Sequence, residues 1–157
     1  MKSLLLTIVM LLITGTLYAP AQERDPGADL ESFLQAAPLT RTNLQLAFEL
    51  NGIVAPVVVM AQSRLETGNY LSQLCLEANN LFGMNFPLVR STTATGSTEY
   101  GFAAYASWYD SVKDMKLFQE WYQQRGRDLT DYFEFLAAIG YAEDTEYISK
   151  LTLLCTT

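Results

Sequence analysis

The side chain on which chemistry can be built is Glu66. The run from Ala61 to Gly83, AQSRLETGNYLSQLCLEANNLFG, sets this carboxylate at the end of an apolar helix, ahead of a glycine turn and a tight Asn79-Asn80-Leu81-Phe82-Gly83 segment. Apolar surroundings raise a carboxyl pKa towards neutrality and fit it to donate a proton to a leaving oxygen; Tyr70, one turn on, would help form them. A solvated glutamate at a helix end has the same spacing. The chain contains no histidine. That excludes Ser-His-Asp and Cys-His triads and argues against a catalytic zinc. What remains is carboxylate, tyrosine, lysine or cysteine chemistry, with paired-carboxylate glycoside hydrolysis foremost. Glu99, the sole acid between Glu77 and Asp110, is the candidate for the second carboxylate. A surface glutamate on a hairpin would occupy the same position.

The elements that must hold these groups follow from periodicity and punctuation. A helix is expected over 40–50, stopped by Asn51-Gly52, and a second from Pro56 to about Thr67, where a first-turn proline lacks only a donor the helix does not use. Val58, Ala61 and Leu65 form its core-facing stripe, with Glu66 at the edge and Gly68 as a left-handed cap. A third helix is expected over 70–77. Residues 86–104 are polar and β-branched around Gly96, and read as a small β-hairpin lobe. Ser107 caps a helix from Trp108 to about Gln124 with Val112, Met115, Phe118 and Tyr122 on one stripe. Another helix runs over 129–139, and Asp144 caps a last one carrying Tyr147, Leu151 and Leu154. The sum is a mainly α domain with one small β element.

Lys2, an apolar run from Leu4 to Leu17 and the small-x-small Ala19-Pro20-Ala21 read as a secretory signal peptide over 1–21. The run is short for a membrane span, which needs about 20 residues. An exported chain without a stable membrane anchor is therefore expected, in the periplasm or outside the cell. A polar leader over 22–38 and one domain over 39–157 follow it. With 10 basic against 17 acidic residues the net charge is −7, and there is no basic run, so nucleic acid is not an expected partner. Cys75 and Cys155 could form one disulfide in an oxidising compartment, or remain two buried thiols.

Four separated segments, read in order, resemble the glucosaminidase family of peptidoglycan hydrolases (glycoside hydrolase family 73), which are lysozyme-like. Glu66-Thr67-Gly68 resembles that family's E-[ST]-G motif, and Asn79 to Gly83 its NNLFG. Tyr105-Ala106-Ser107-Trp108-Tyr109-Asp110-Ser111 is similar to Y-x-S-x-x-x-S. Gly140 to Leu151 is similar to G-Y-A-x-D-P-x-Y-x-x-K-L, with Thr145 in place of the proline. Ser97-Thr98-Glu99-Tyr100 is the nearest match to the β-lobe segment that supplies the family's second carboxylate. Ala103 and Ala104 stand where relatives often carry a basic residue.

The resemblance covers about Thr40 to Leu154 and looks most like small exported forms from Bacteroidetes-type bacteria. It implies a lysozyme-like α+β domain with a hairpin lobe beside the cleft, acting as a monomer on peptidoglycan glycan strands. The bond cut would be the β-1,4 link between N-acetylglucosamine and N-acetylmuramic acid, with no metal or organic cofactor. Glu66 would be the general acid, Glu99 the second carboxylate and Tyr141 a cleft residue facing Glu66. Asn80, Phe82, Tyr105 and Trp108 would contact sugar, though turn chemistry and helix-start packing explain the same residues. A muramidase or lytic transglycosylase on the same fold, or a non-catalytic glycan-binding domain, are the competing readings.

Overall fold

Side chains that satisfy orphaned backbone donors mark most of the helix starts in this chain. In the computed structural model, which describes residues 25–156, Asp25 caps α1 (Pro26–Ala36) and Thr40 caps α2 (Arg41–Asn51). Gly52 closes α2 in the left-handed region. Pro56 opens α3 (Pro56–Glu66), which Thr67 and the left-handed Gly68 terminate. Ser72 caps α4 (Gln73–Ala78), Ser107 caps α5 (Trp108–Gln123) and Asp131 caps α6 (Tyr132–Ala138). The last helix is α7 (Tyr147–Cys155). Each cap accepts a hydrogen bond from a first-turn amide that the helix cannot use, worth about 1 kcal/mol.

Between α4 and α5 the chain forms a loop and a minimal antiparallel ribbon. Its strands, β1 (Gly96–Ser97) and β2 (Ala103–Ala104), pair Gly96 with Ala104 and Ser97 with Ala103. An isolated bridge between Asn85 and Phe102 ties the ribbon to the stretch that follows α4. The architecture is the mainly α domain with a small hairpin lobe that the sequence predicts. The predicted signal peptide lies outside the described residues. Among those residues no helix is long and apolar enough to cross a membrane.

Three expectations are corrected. Residues 26–36 are not a leader but a helix: Leu34 is buried against α2 and α5, and Gln35 donates to Asp110 Oδ2 at 2.7 Å. Trp108 Nε1 donates to the Ala37 carbonyl at 2.7 Å and fixes the end of α1. The helix expected over 70–77 begins only at Gln73, because Asn69 and Tyr70 both adopt positive φ in the turn after Glu66. Asp144 does not cap α7 directly; its carboxylate accepts from the Glu146 amide, closing the turn that leads into the helix.

Most of the hydrophobic core lies between these helices, with Leu44, Phe48, Val59, Leu81, Phe82, Tyr109, Met115, Leu136 and Leu151 fully enclosed. The most extensive helix pair is α3 with α7. That pairing sets the site, because it brings the end of α3 against the start of α7.

Candidate active site

On α3 the buried residues are Val59, Ala61, Gln62 and Ser63 rather than the expected stripe of Val58, Ala61 and Leu65, and the half-buried Glu66 follows Val59 by seven positions and Gln62 by four. Val58 and Leu65 are half-buried and Ala61 is buried. Glu66 therefore stands at the C-terminal end of the most enclosed face of the helix. The helix stops there because Thr67 turns the chain: its Oγ1 donates to the Ser63 carbonyl at 2.5 Å and accepts from the Tyr70 amide at 2.8 Å. Tyr70 then folds back onto Ser63 Oγ at 3.0 Å. It does not supply the Glu66 environment that its spacing suggested.

The opposite wall is built by Asn80, which is 1% exposed. Its Nδ2 donates to the carbonyls of Met84 and Ala103, each at 2.9 Å, and its Oδ1 accepts from the amides of Phe82 and Met84. Ser111 Oγ accepts from the Leu81 amide at 3.1 Å. Residues 81–84 are thus wrapped around one asparagine, and Gly83 is presented to Glu66. A Cβ on Gly83 would lie 2.8 Å from Glu66 Oε2, and its φ of 63° is one that side chains rarely adopt. Glycine is required here by both space and backbone.

Tyr147, the first residue of α7, donates from its hydroxyl to Glu66 Oε1 at 2.8 Å. Tyr141, expected to face the acid, instead donates to the Phe82 carbonyl at 2.8 Å and stacks on the Tyr147 ring with centroids 5.8 Å apart. Burial pushes the Glu66 carboxyl above its ordinary value of 4.5, and the Tyr147 hydrogen bond opposes that shift in part. Burial and the neighbouring Glu66 charge push the Tyr147 phenol up, so it stays a neutral donor through the physiological range.

Glu66 opens onto a cleft of about 570 Å³, which Gly83, Phe102, Phe118, Tyr122 and Tyr141 help to line. That size suits a sugar unit. Half-buried aromatic rings above a protonatable carboxyl form an arrangement that can seat a sugar ring and protonate a glycosidic oxygen. A second hollow of about 390 Å³ lies between α2, α3 and the end of α7. It is apolar at Phe48, Ile53 and Met60, and Glu66 is not on its wall.

Several expected site residues are elsewhere. Glu99 is exposed at the hairpin turn and does not line the cleft. Glu143, which sequence reasoning leaves to solvent, is the second carboxylate on the cleft wall among the described residues. Phe82 (0% exposed), Tyr105 (4%) and Trp108 (7%) are enclosed in the core and are not free to stack on sugar. Tyr105 donates to Asp114 Oδ2 at 2.8 Å, and Asp114 holds Arg90 through two bonds of 2.8 and 2.9 Å. Both cysteines are free thiols: Cys75 is buried on α4, while Cys155 lies at the end of α7 with Sγ directed at the Val57 carbonyl. The candidate disulfide is not formed.

Phe102, Phe118 and Tyr122 were missed as cleft residues because their spacing shows only that they are partly buried. Tyr147 carried a signal, its place in the closing motif, but periodicity assigned it to the core.

The glucosaminidase family model, described as mannosyl-glycoprotein endo-beta-N-acetylglucosaminidase, matches residues 42–157. No curated protein matches the chain in sequence. Among solved structures, the catalytic domain of the autolysin Auto from Listeria monocytogenes is similar, at 20% identity and a TM-score of 0.44. The similarity covers 87% of this chain and 96% of that one.

Proposed function

Because the chain belongs to the glucosaminidase family of glycoside hydrolases, we propose that it is an exported endo-β-N-acetylglucosaminidase acting on peptidoglycan. It cuts the β-1,4 bond between N-acetylglucosamine and N-acetylmuramic acid. The observation that carries the reading is Glu66: a half-buried carboxyl on the wall of a sugar-sized cleft, with its pKa raised by burial.

In this reaction Glu66 gives its proton to the glycosidic oxygen as the bond to the anomeric carbon breaks. Water then completes the hydrolysis on the sugar. The half-buried rings of Phe102 and Tyr122 offer apolar faces to the glycan. The two candidates for the water-activating carboxylate are Glu143 on the cleft wall and Glu99 on the hairpin, which would have to swing towards the acid. Export is supported by the signal-like composition of residues 1–21.

Digestion of purified peptidoglycan by the chain from Gln22 tests the proposal, with mass spectrometry of borohydride-reduced fragments. Reduced N-acetylglucosamine ends are expected, and Glu66→Gln should lower their yield by about 10²- to 10⁴-fold, the contribution of a general acid. Reduced muramic ends or anhydro-muramic ends would move the chain to the muramidase or transglycosylase reading. Release of N-glycans from a mannosylated glycoprotein, with peptidoglycan untouched, would change the substrate. Glu99→Gln and Glu143→Gln run beside it identify the second carboxylate by which one stops turnover.

A further inference from the structure

The two oxygens of Glu66 meet different surroundings. Oε1 accepts the Tyr147 hydroxyl hydrogen bond at 2.8 Å. Oε2 faces Gly83, whose missing side chain leaves that oxygen uncovered there, and both residues line the cleft. Tyr147 is itself held on two sides. Gln62 Nε2 donates to its hydroxyl oxygen at 3.3 Å, and its ring stacks on Tyr141, whose own hydroxyl is tied to the Phe82 carbonyl. Gln62 is fully buried, yet its Oε1 has no hydrogen-bond partner.

We propose that Tyr147 is a positioning residue that assigns the two oxygens of Glu66 separate tasks. Oε1 stays bonded to the phenol throughout, and Oε2, above Gly83, carries the proton and delivers it. The inference rests on the reading of Glu66 as the general acid.

A neutral carboxyl can carry its hydrogen on either oxygen, and only a hydrogen directed into the cleft can be transferred. The Tyr147 O–H occupies the acceptor site of Oε1, so a proton there would be directed away from substrate. In the transfer the Oε2–H bond breaks and its electron pair remains on Oε2. A bond forms from that hydrogen to the glycosidic oxygen, which takes the electrons of the breaking bond to the anomeric carbon. Glu66 ends as a carboxylate, and the same Tyr147 hydrogen bond becomes charge-assisted and stronger. An interaction that strengthens as the reaction proceeds lowers the barrier rather than merely tightening binding.

The orphaned oxygen of Gln62 fits this arrangement. Because Gln62 presents N–H to the phenol oxygen, the phenol hydrogen has no acceptor on that side and is directed at Glu66. Turning the amide over would satisfy the phenol with the Gln62 oxygen and release Glu66. A buried acceptor is left unpaired so that the donor points the other way.

Tyr147→Phe keeps the ring and removes the bond. We expect kcat to fall about tenfold or more with KM within about twofold, since misplacing a reacting group acts on the chemical step. The basic limb of the pH–rate profile moves to higher pH, because burial then acts on Glu66 without the opposing hydrogen bond. A ¹³C titration of the Glu66 carboxyl moves in the same direction, and Gln62→Leu gives a smaller shift of the same sign.

A lower kcat with neither the profile nor the titration displaced would reduce Tyr147 to a packing residue and overturn the inference. The titration needs no turnover, so it separates the two levels. An inactive wild type with the titration shift present sinks the glucosaminidase reading and supports the hold on Glu66. An unchanged titration sinks the hold whether or not the wild type turns over.

Discussion

A carboxyl that must be protonated near neutral pH has to be withdrawn from water, and the folded state bears the consequence. Glu66 binds its proton more tightly in the native chain than in the unfolded one, where its pKa is close to 4.5. As pH rises above that value the unfolded chain releases the proton first, so stability falls with pH until the native group also ionises. Below 4.5 both states are protonated and the penalty vanishes. Glu66→Gln removes the titrating group while keeping an acceptor for Tyr147. We therefore expect the variant to melt above the wild type at neutral pH, with the gap closing as pH falls through that value. Thermal melts across the pH range check it, and a variant less stable at neutral pH would contradict the buried-acid account.

At this scale the acid was legible in the sequence and its neighbours were not. The E-T-G turn and an apolar helix identify Glu66, since they set both its surroundings and its place at a helix end. Asn80 and Phe82 also belong to a motif, but sequence shows that they matter without showing how. The amide of Asn80 organises the wall behind the acid instead of meeting the substrate, and Phe82 contributes its carbonyl rather than its ring.

Among the elements, the helices with local signals were located closely. Pro56, Ser107 and Gly52 act within one turn of their own position, so a single sequence contains the information, whereas the helix expected over 129–139 begins only at Tyr132, after the Asp131 cap. Helix α1 was missed because most of what holds it is distant in the chain. Its partners Ser107, Asp110 and Trp108 lie some 70 residues on, at the start of α5. The end of α3 at Thr67 and Gly68 was legible, but the continuation of that turn through Asn69 and Tyr70 was not, because the Thr67 side chain holds it by accepting from the Tyr70 amide.

The indole of Trp108 is accordingly read as a clasp on α1. Trp108→Phe leaves the Ala37 carbonyl without its donor, and we expect it to cost about 1–3 kcal/mol by urea denaturation. Its kcat/KM should stay within about twofold, since the bond it breaks lies outside the chemical step. A tenfold fall in kcat/KM with stability intact would return Trp108 to the cleft.

For the molecule as a whole, the hairpin lobe is fastened to the helical body by the buried set of Arg90, Asp114 and Tyr105. Asp114 has no exposed surface and holds Arg90 through two bonds, and burial together with the Asp114 charge drives the Tyr105 phenol well above its ordinary value. Arg90→Met leaves Asp114 charged and buried without its cation, which we expect to cost about 3–5 kcal/mol. The measurement is the urea midpoint. A loss below about 1 kcal/mol would mean that water or another donor takes the place of the guanidinium. None of this pairing was visible in the sequence, where Arg90 and Asp114 stand 24 residues apart in segments of different character.

The contact between Tyr147 and Glu66 joins the opening turn of α7 to the closing turn of α3, 81 residues earlier. A ribosome has therefore made the acid, its glycine window and the asparagine behind them long before it makes the phenol that orients the acid. Until α7 is made, the acid lacks both the helix that encloses it and the phenol that orients it. An enzyme assembled in this order is not fully competent until α7 has been added and has packed against α3. A protease that clips the loop before Tyr147 would return it to that unarmed condition.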